Sequence, residues 1–455
     1  MKKTHLSNNF YKVFILTIIL GSILCLAGCS DNKTDTTPNP TPDLEEITIH
    51  YQADDGAFRK DTYSTEPKEE KEQAIEKGKN IISFYCGGYE TRFLNYLVAD
   101  FNRENPLFHI EMTQFPYDTE FKNVQERLRI DVSTGKGPDV MSLDIFPVSE
   151  KIIADGYLLD MAPLMAKSNI TDDKYFPAYK ALTKDNQVYG LCPSMEVVRM
   201  SIDKNVLPNK EIPDLESLVD ILLKYSSSTI FLNDYQEGIY IMDYFLCGSQ
   251  DLWGMIDWEN KTCDFSTELF SKILDVSKKF ADNRNKGYAP IMRMEHCYIG
   301  LYPGEKVLEK EGRVMLDFYF DDGNYPKYNP SVETLVINSG TSNLEGAWAF
   351  VSYVMSKTGQ SYCAVPTHKE LFIEQNKELL KDLDAGIANT MVEYTEEVMQ
   401  DSIQVYEAGK YCPTNTEEIL NIIYEESGAY FSGDKGKDEV IHIIQNRVQL
   451  LLDEY

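Results

Sequence analysis

The sequence predicts an α/β fold with a mostly parallel sheet, and three observations within residues 80–144 carry that expectation. Short apolar runs rich in β-forming residues alternate with stretches of helical period. Glycine and proline sit at the junctions. The resulting order, strand–helix–strand–helix–strand, requires crossover connections, and so parallel neighbours with helices on the sheet faces. Residues 81–85 (IISFY) form the first strand, which Gly87-Gly88 breaks. Phe93, Leu94, Leu97, Val98 and Phe101 share one face of the first helix, and Asn105-Pro106 ends it. Phe108, Ile110 and Met112 alternate with His109, Glu111 and Thr113, as in a strand with one face more buried than the other. Asp118 is placed to cap a second helix carrying Phe121, Val124 and Leu128, and Gly135 to stop it. Pro138-Asp139 leads into the third strand at residues 140–143. Ligands of such sheets bind in the crevice at the carboxyl ends of the strands. That rule puts Tyr85, Gly88, Tyr89, Ser142 and Asp144 beside a binding crevice.

The same residues carry a family resemblance. The strand–GG–helix–FNRENP run and the phrase LRIDVSTGKGPDVMSLD resemble family 1 extracellular solute-binding proteins, the receptor subunits of sugar importers related to maltose-binding protein. The resemblance implies a two-lobed periplasmic-binding-protein-like fold (type II), each lobe a mostly parallel sheet flanked by helices, with the ligand cleft between the lobes. It begins at about residue 80 and continues to the end of the chain.

Residues 1–28 read as a signal peptide: Lys2, Lys3 and Lys12 precede the apolar run 13–28. The run is too short and wrongly flanked for a membrane span. It ends in Leu26-Ala27-Gly28-Cys29, which is similar to the bacterial lipobox. That likeness implies that Cys29 is diacylated and becomes the mature N-terminus, tethered to the membrane without spanning it. Residues 29–44 are polar and proline-rich, without the apolar surface a core needs, and read as a disordered tether. Residues 45–79, where Ile47-Thr48-Ile49 precedes a charged stretch, read as an N-terminal extension specific to a subgroup.

The remaining length exceeds what one core holds, so two lobes are expected. Residues 80–190 are assigned to lobe 1, 191–290 to lobe 2, 291–338 to a return into lobe 1, and 339–455 to lobe 2 again. The ADGYLLD phrase at 154–160 resembles the helix before the first passage between lobes, and the V-Y-G-L-x-P element at 188–193 the passage itself. By that resemblance Tyr189 and Glu196 line the cleft; Ser201-Ile202-Asp203 departs from the Tyr-Asn pair often found in the family. Residues 253–266 (WGMIDWENKTCDFS) resemble the family's second-lobe turn and hairpin, which implies that Trp253 faces the ligand. Tyr302 heads a Tyr-Pro-Gly turn. LVINSGTSNLEGAWAFVSYVMS at 335–356 and AVPTHKELF at 364–372 are further family-like segments. Val440, Ile444, Val448 and Leu451 stand at helical spacing near the C-terminus.

A net charge of −29, made more negative once the leader's lysines are removed, argues against nucleic acid and against adhesion to anionic lipid. Nine cysteines with no C-x-x-C, two of them at Cys25 and Cys29, leave an odd set of seven, for which buried thiols are the simpler reading. Gly135-Lys136-Gly137-Pro138 lacks P-loop spacing and precedes a strand. Asp321-Asp322-Gly323-Asn324 lacks the twelve-residue calcium pattern. The histidines show no H-E-x-x-H, and no G-x-S-x-G elbow occurs. No catalytic residue, metal or cofactor is therefore assigned. Three tryptophans and 29 tyrosines supply flat apolar faces with polar edges, which suit sugar rings. Trp348, with Phe350 and Tyr353 nearby on one helix, reads as core. Tyr85 and Tyr89 stand between ligand contact and packing, and Asp144 between ligand acceptor and cap.

Together with the resemblance, these residues point to a non-enzymatic, monomeric, lipid-anchored receptor on the outer face of the bacterial cytoplasmic membrane. It is expected to bind a carbohydrate and pass it to the permease subunits of an ABC importer. Two alternatives stay open: a surface glycosidase, and a receptor of the same fold for a polyamine or peptide. The anchor has a direct test. Cys29→Ala is expected to abolish lipidation and release the protein from membranes, read by fractionation and intact mass. An unmodified Cys29 in the membrane-bound wild type would refute it.

Overall fold

The computed structural model describes residues 47–52, 58–65, 68–88, 92–116, 121–180, 182–207, 214–224, 238–246, 251–281, 292–296, 304–316, 327–330, 334–388, 390, 393–408, 410–411 and 417–454. The leader, Cys29, the tether, Tyr89, Asp118 and Tyr302 lie outside them. All of the described residues belong to one compact unit, Ile47–Tyr455.

The first sheet takes five strands from the beginning of this unit and a sixth from residues 335–337. β1 (Ile47–Gln52) and β2 (Phe58–Thr65) form a hairpin, followed by helix α1 (Lys68–Glu76). Then come β3 (Asn80–Gly87), α2 (Arg92–Glu104), β4 (Phe108–Phe115), α3 (Phe121–Ser133) and β5 (Val140–Ser142). β3 pairs in parallel with β4 from Asn80↔Phe108 to Gly87↔Phe115, and with β5 at Phe84↔Val140 and Tyr85↔Met141. The expected βαβαβ unit is thus present, with β3 central and its neighbours on opposite sides.

Alternation along β3 sorts its side chains. Ile82, Phe84 and Cys86 are fully buried, while Ser83 and Tyr85 point to the other face. The buried face packs on Leu94, Leu97, Val98 and Phe101 of α2, four of the five residues of the stripe expected from the sequence. Asn102 ties α2 to β4 with two buried hydrogen bonds: its Nδ2 donates to the Ile110 carbonyl (3.0 Å) and its Oδ1 accepts from the Ile110 N–H (2.7 Å). Gly135, at φ +73°, ends α3: its N–H donates to the Val132 carbonyl and that of Lys136 to Asp131, the paired arrangement of a left-handed helix stop.

After two short helices, α4 (Glu150–Ala154) and α5 (Ala162–Met165), the hairpin β6 (Leu182–Lys184) and β7 (Gln187–Gly190) leads out of the first sheet. Leu191 still exchanges hydrogen bonds with Leu335, and Met195 opens β8 (Met195–Asp203), the centre of a second sheet. Helices α6 (Leu215–Lys224), α7 (Gly238–Leu246) and α8 (Glu268–Ala281) follow, with the hairpin β9 (Ile256–Asp257) and β10 (Thr262–Cys263) before α8. β11 (Met292–His296), then helix α9 (Gly304–Lys310), β12 (Arg313–Leu316) and β13 (Lys327–Pro330) complete the run. β11, β12 and β13 all pair antiparallel with β8. The parallel pairing expected in both lobes therefore describes the centre of the first sheet, whereas β8 is antiparallel to three neighbours.

The chain returns to the first sheet at β14 (Leu335–Ile337), antiparallel to β5. Helix α10 (Leu344–Met355) then packs in the first core through Ala347, Phe350, Val351 and Val354, with Phe350 centred 5.2 Å from Phe84 and 5.4 Å from Phe101. Gly346 makes the approach possible: a Cβ there would lie 2.2 Å from Ile82 Cδ1 and 2.8 Å from Phe108 Cδ1. Helices α11 (Lys357–Gln360), α12 (Lys369–Asp384) and α13 (Glu396–Ala408) come next, with β15 (Lys410–Tyr411) parallel to β13. The last helices, α14 (Glu417–Ser432) and α15 (Lys437–Glu454), enter the second core through Ile419, Ile423, Val440, Ile444 and Val448.

The lobe boundaries drawn from the sequence therefore need two corrections. The segment 291–338 was expected in lobe 1, but β11 to β13 belong to the β8 sheet and Met292 and Leu316 to the second core. The segment 339–455 was expected in lobe 2, but α10 is a layer of the first core. The reason is that an apolar strand or helix face shows that it is buried without showing which core buries it.

Candidate ligand-binding site

Beside the central strand β3 of the first sheet stands a strand of only three residues. β5 meets β3 at two residue pairs, and a carboxylate reinforces the join at each end. Below, Asp139 is buried; its Oδ2 accepts from the Ser83 N–H and the Ser83 hydroxyl, both at 2.8 Å. The Asp139 N–H donates back to Ser83 Oγ at 2.9 Å, and Asp139 Oδ1 accepts from Thr341 Oγ1 and Asn343 Nδ2. Above, Asp144 Oδ2 accepts the Gly87 N–H at 3.1 Å, while Oδ1 accepts from the Ile145 N–H at 2.8 Å and from the Ser142 hydroxyl. Gln125 Nε2 donates to the Asp144 carbonyl at 2.7 Å, which holds α3 against the same corner.

This corner is where the carboxyl ends of β3 and β5 meet and the connections diverge to β4 on one side and β14 on the other, the place where open α/β sheets bind ligands. Glycine is required at 87: a Cβ would lie 2.6 Å from Asp144 Oδ2 and 2.8 Å from Phe121 Cζ. Gly88 adopts φ +83° and donates its N–H to the Phe115 carbonyl at 2.9 Å, turning the chain off the strand. Tyr85 is half-buried, edge-on to Phe115 with ring centres 5.3 Å apart. Burial raises its phenol pKa, with Glu111 and Asp131 adding to the shift, so the hydroxyl stays protonated and can donate.

Of the sequence-derived site residues, the structure brings together Tyr85, Gly88, Ser142 and Asp144. Ser142 is 1% exposed and its hydroxyl is committed to Asp144, so both serve first to hold the corner. Tyr189 is buried in the apolar cluster that includes Met141, Leu143 and Leu182 and against which Tyr85 also packs, and its hydroxyl donates to Gln187 Oε1 at 2.8 Å. Glu196 and Trp253 belong to the second lobe. Glu196 stands opposite Asn329 in the β8–β13 ladder. Trp253 is half-buried on the second core and donates its indole N–H to the Phe245 carbonyl at 2.7 Å. It sits in a run of positive φ, Leu252 at 50°, Trp253 at 62° and Gly254 at 81°, a conformation disfavoured for bulky side chains. Buried Leu252 and the indole hydrogen bond hold that turn in place.

Sequence reasoning assigned no role to Asp139, Ser83 or Gln125, and read Gly87 only as a breaker of the strand, whereas β3 runs through it. The available signal was the Pro138-Asp139 step before so short a strand: an acid there can reach the N–H groups of the neighbouring strand. Among the described residues no group of three or more His, Cys, Asp or Glu side chains could hold a metal ion. Cys86, Cys192, Cys263 and Cys363 are thiols, and burial raises the Cys86 pKa well above its ordinary value, with Asp144 adding to the shift. A groove of about 840 Å³ lies elsewhere, between residues 168–175 and helices α11 and α12. It shares no residue with the strand-end corner, and its Lys357 and Lys369 are paired with Glu374 (2.6 Å) and Glu407 (3.0 Å).

Residues 96–289 match the family model of the bacterial extracellular solute-binding proteins. No curated protein matches the chain in sequence. Among solved structures, the chain is similar to the sugar-binding protein MalE of Xanthomonas citri, at 14% identity and a TM-score of 0.52, covering 82% of this chain and 98% of that one. It is also similar to the GacH receptor of Streptomyces glaucescens, solved unliganded and with acarbose, at 15% identity and a TM-score of 0.53 over 83% and 99%. A third is maltose-bound MalE3 of T. maritima, at 14% identity and a TM-score of 0.53 over 82% and 99%. Over residues 96–289 the resemblance to extracellular solute-binding proteins read from the sequence agrees with the family model, and the fold is the two-domain MalE-like one.

The corner predicts a separable effect for Asp144. Asp144→Ala leaves the buried Gly87 N–H without its acceptor and is expected to cost about 1.5–3 kcal/mol. The measurement is urea unfolding, with a lower midpoint at unchanged slope. An unchanged midpoint would show that Asp144 does not clamp the strands and would return it to the role of ligand acceptor alone.

Proposed function

We propose that the protein is a lipid-anchored extracellular receptor that binds an oligosaccharide between its two lobes and delivers it to the permease of an ABC importer. The observation that carries this reading is the strand-end corner of β3 and β5, set in a fold shared over 82–83% of this chain with proteins solved with maltose and with acarbose. The corner offers a half-buried tyrosine whose hydroxyl can donate, the chain turn at Gly88, and the Ser142–Asp144 pair. An aromatic face with hydrogen-bonding groups at its edge suits a pyranose ring. Tyr89, Tyr189, Glu196, Trp253 and Tyr302 complete the proposed ligand set from the sequence resemblance. Because Asp144, Ser142, Tyr189 and Trp253 already have partners inside the protein, their part is to position the site more than to take up the ligand's hydroxyls. The protein acts as a monomer and performs no chemistry on its cargo.

A ligand that binds only the folded state stabilises it by mass action, by about 2.7 kcal/mol at one hundred times its dissociation constant. Maltose, maltotriose and acarbose are the first probes, and at least one is expected to raise the melting temperature by a few degrees and to be recovered intact. A rise with spermidine or a peptide but no sugar would favour the polyamine or peptide receptor. Protein-dependent release of new reducing ends, abolished by one carboxylate substitution, would establish the glycosidase.

A further inference from the structure

The chain passes from the first lobe to the second through residues 191–195, between β7 and β8. Leu191 belongs to the first core and exchanges two backbone hydrogen bonds with Leu335. Met195 begins the second sheet, opposite Pro330 of β13. The passage between them is not a free linker, because its backbone is bonded almost residue by residue to the first lobe. The Cys192 N–H donates to the Tyr179 carbonyl at 2.9 Å, and the Thr367 N–H to the Pro193 carbonyl at 3.0 Å. Ser194 bridges to Pro366, and the Met195 N–H donates to the Val365 carbonyl at 2.9 Å. The bonds run up to the residue where the second sheet starts.

One hydroxyl ties this bracing together. Thr367 is fully buried and donates from Oγ1 to the Cys192 carbonyl at 2.9 Å, with the Pro193 carbonyl 3.3 Å away. It accepts from Gln360 Nε2 at 3.0 Å. The Gln360 amide has one orientation that fits: its Oε1 accepts the His368 N–H at 2.8 Å, so Nε2 faces Thr367 and the Met355 carbonyl. Met355 is part of the first core. With Gln360 donating to it, the Thr367 hydroxyl has its own proton left for the passage. A buried polar network with its members satisfied in this way specifies one geometry. We propose that Thr367 is a positioning residue for ligand capture: its hydroxyl fixes the direction in which β8 leaves the first lobe and so narrows the settings the second lobe samples. This rests on the reading that the ligand is held between the lobes. A free passage would lose backbone entropy when the ligand fixed both lobes, whereas one already ordered loses little, and the difference appears as affinity. Opening and closing of the lobes then bends the chain beyond Met195 and not within 191–195.

The test compares full-length wild type with Thr367→Val, which keeps the shape and removes the hydroxyl, and Thr367→Ser, which keeps the hydroxyl. Calorimetric titration with maltotriose, at a temperature where all three are folded, is expected to show roughly a tenfold loss for Thr367→Val and a change within about twofold for Thr367→Ser. Small-angle scattering without sugar is expected to give a larger radius of gyration for Thr367→Val alone. A purely structural role would lower the melting temperature and leave both readouts unchanged, which overturns the proposal. An equal loss in both variants overturns it as well, since the hydroxyl is then not the agent. Should Thr367→Val fail to fold, wild-type hydrogen exchange decides. The Cys192 and Met195 amides are expected to exchange as slowly as those of β3, with and without maltotriose. Fast exchange there that slows only on binding would make residues 191–195 the flexible hinge and overturn the role of Thr367. Failure of wild type to bind maltotriose, maltose or acarbose counts against the carbohydrate reading alone. The scattering and exchange arms need no sugar and still decide this inference.

Discussion

The first lobe depends on how a three-residue strand is held to the middle of a sheet. β5 pairs with β14 at all three of its residues but with β3 at two only, few backbone hydrogen bonds to hold that side of the join against the entropy of the flanking turns. Asp139 and Asp144 supply what is missing, one carboxylate at either end, each accepting a backbone N–H of β3. Hydrogen bonds to an ionised acceptor contribute about 1.5–3 kcal/mol each, roughly twice a neutral one. They also act at a distance along the chain, since Asp139 reaches Thr341 and Asn343 beyond β14. The short strand, the returning strand and the loop before α10 are thereby tied at one buried acid. Because the upper clamp lies at the strands' carboxyl ends, the constraint that orders the sheet also shapes the strand-end corner.

What the sequence made legible was local. The α2 stripe, the Gly135 stop and the Val440–Ile444–Val448 face are all read from the spacing of apolar residues and the position of a glycine, and each is where the periodicity put it. What it did not reveal was partnership. The strand at 313–316 is apolar whichever sheet it joins, and nothing in its residues says that β8 is its neighbour or that the two run antiparallel. α10 shows the same limit: its buried face would suit either core, and the deciding fact, that Gly346 leaves room for Ile82 and Phe108, lies in a residue without a side chain. Direction and destination are properties of pairs of segments, and one sequence presents its segments singly.

The site divides along the same line. The strand-end rule located Tyr85, Gly88, Ser142 and Asp144 from the order of elements alone. It did not say what each group is already bonded to. Asp144 and Ser142 satisfy one another and Gly87, Tyr189 bonds Gln187, and Trp253 bonds the Phe245 carbonyl within a left-handed turn. An aromatic or acidic residue near a crevice is available to a ligand only to the extent that the fold has not already used it, and hydrogen-bond partners far apart in sequence cannot be read from composition. The N-terminal extension shows the reverse: two residue pairs with β4 place a charged, uninformative stretch at the edge of the first sheet.

The central claim is that the ligand seats where β3 and β5 end. Hydrogen exchange measured with and without saturating oligosaccharide tests it most directly, because the amides concerned are those of residues 86–88 and 142–145. The account predicts that exchange slows at both segments together on binding. Protection confined to other parts of the protein, such as the groove beside α12, with residues 86–88 and 142–145 unchanged, would contradict it.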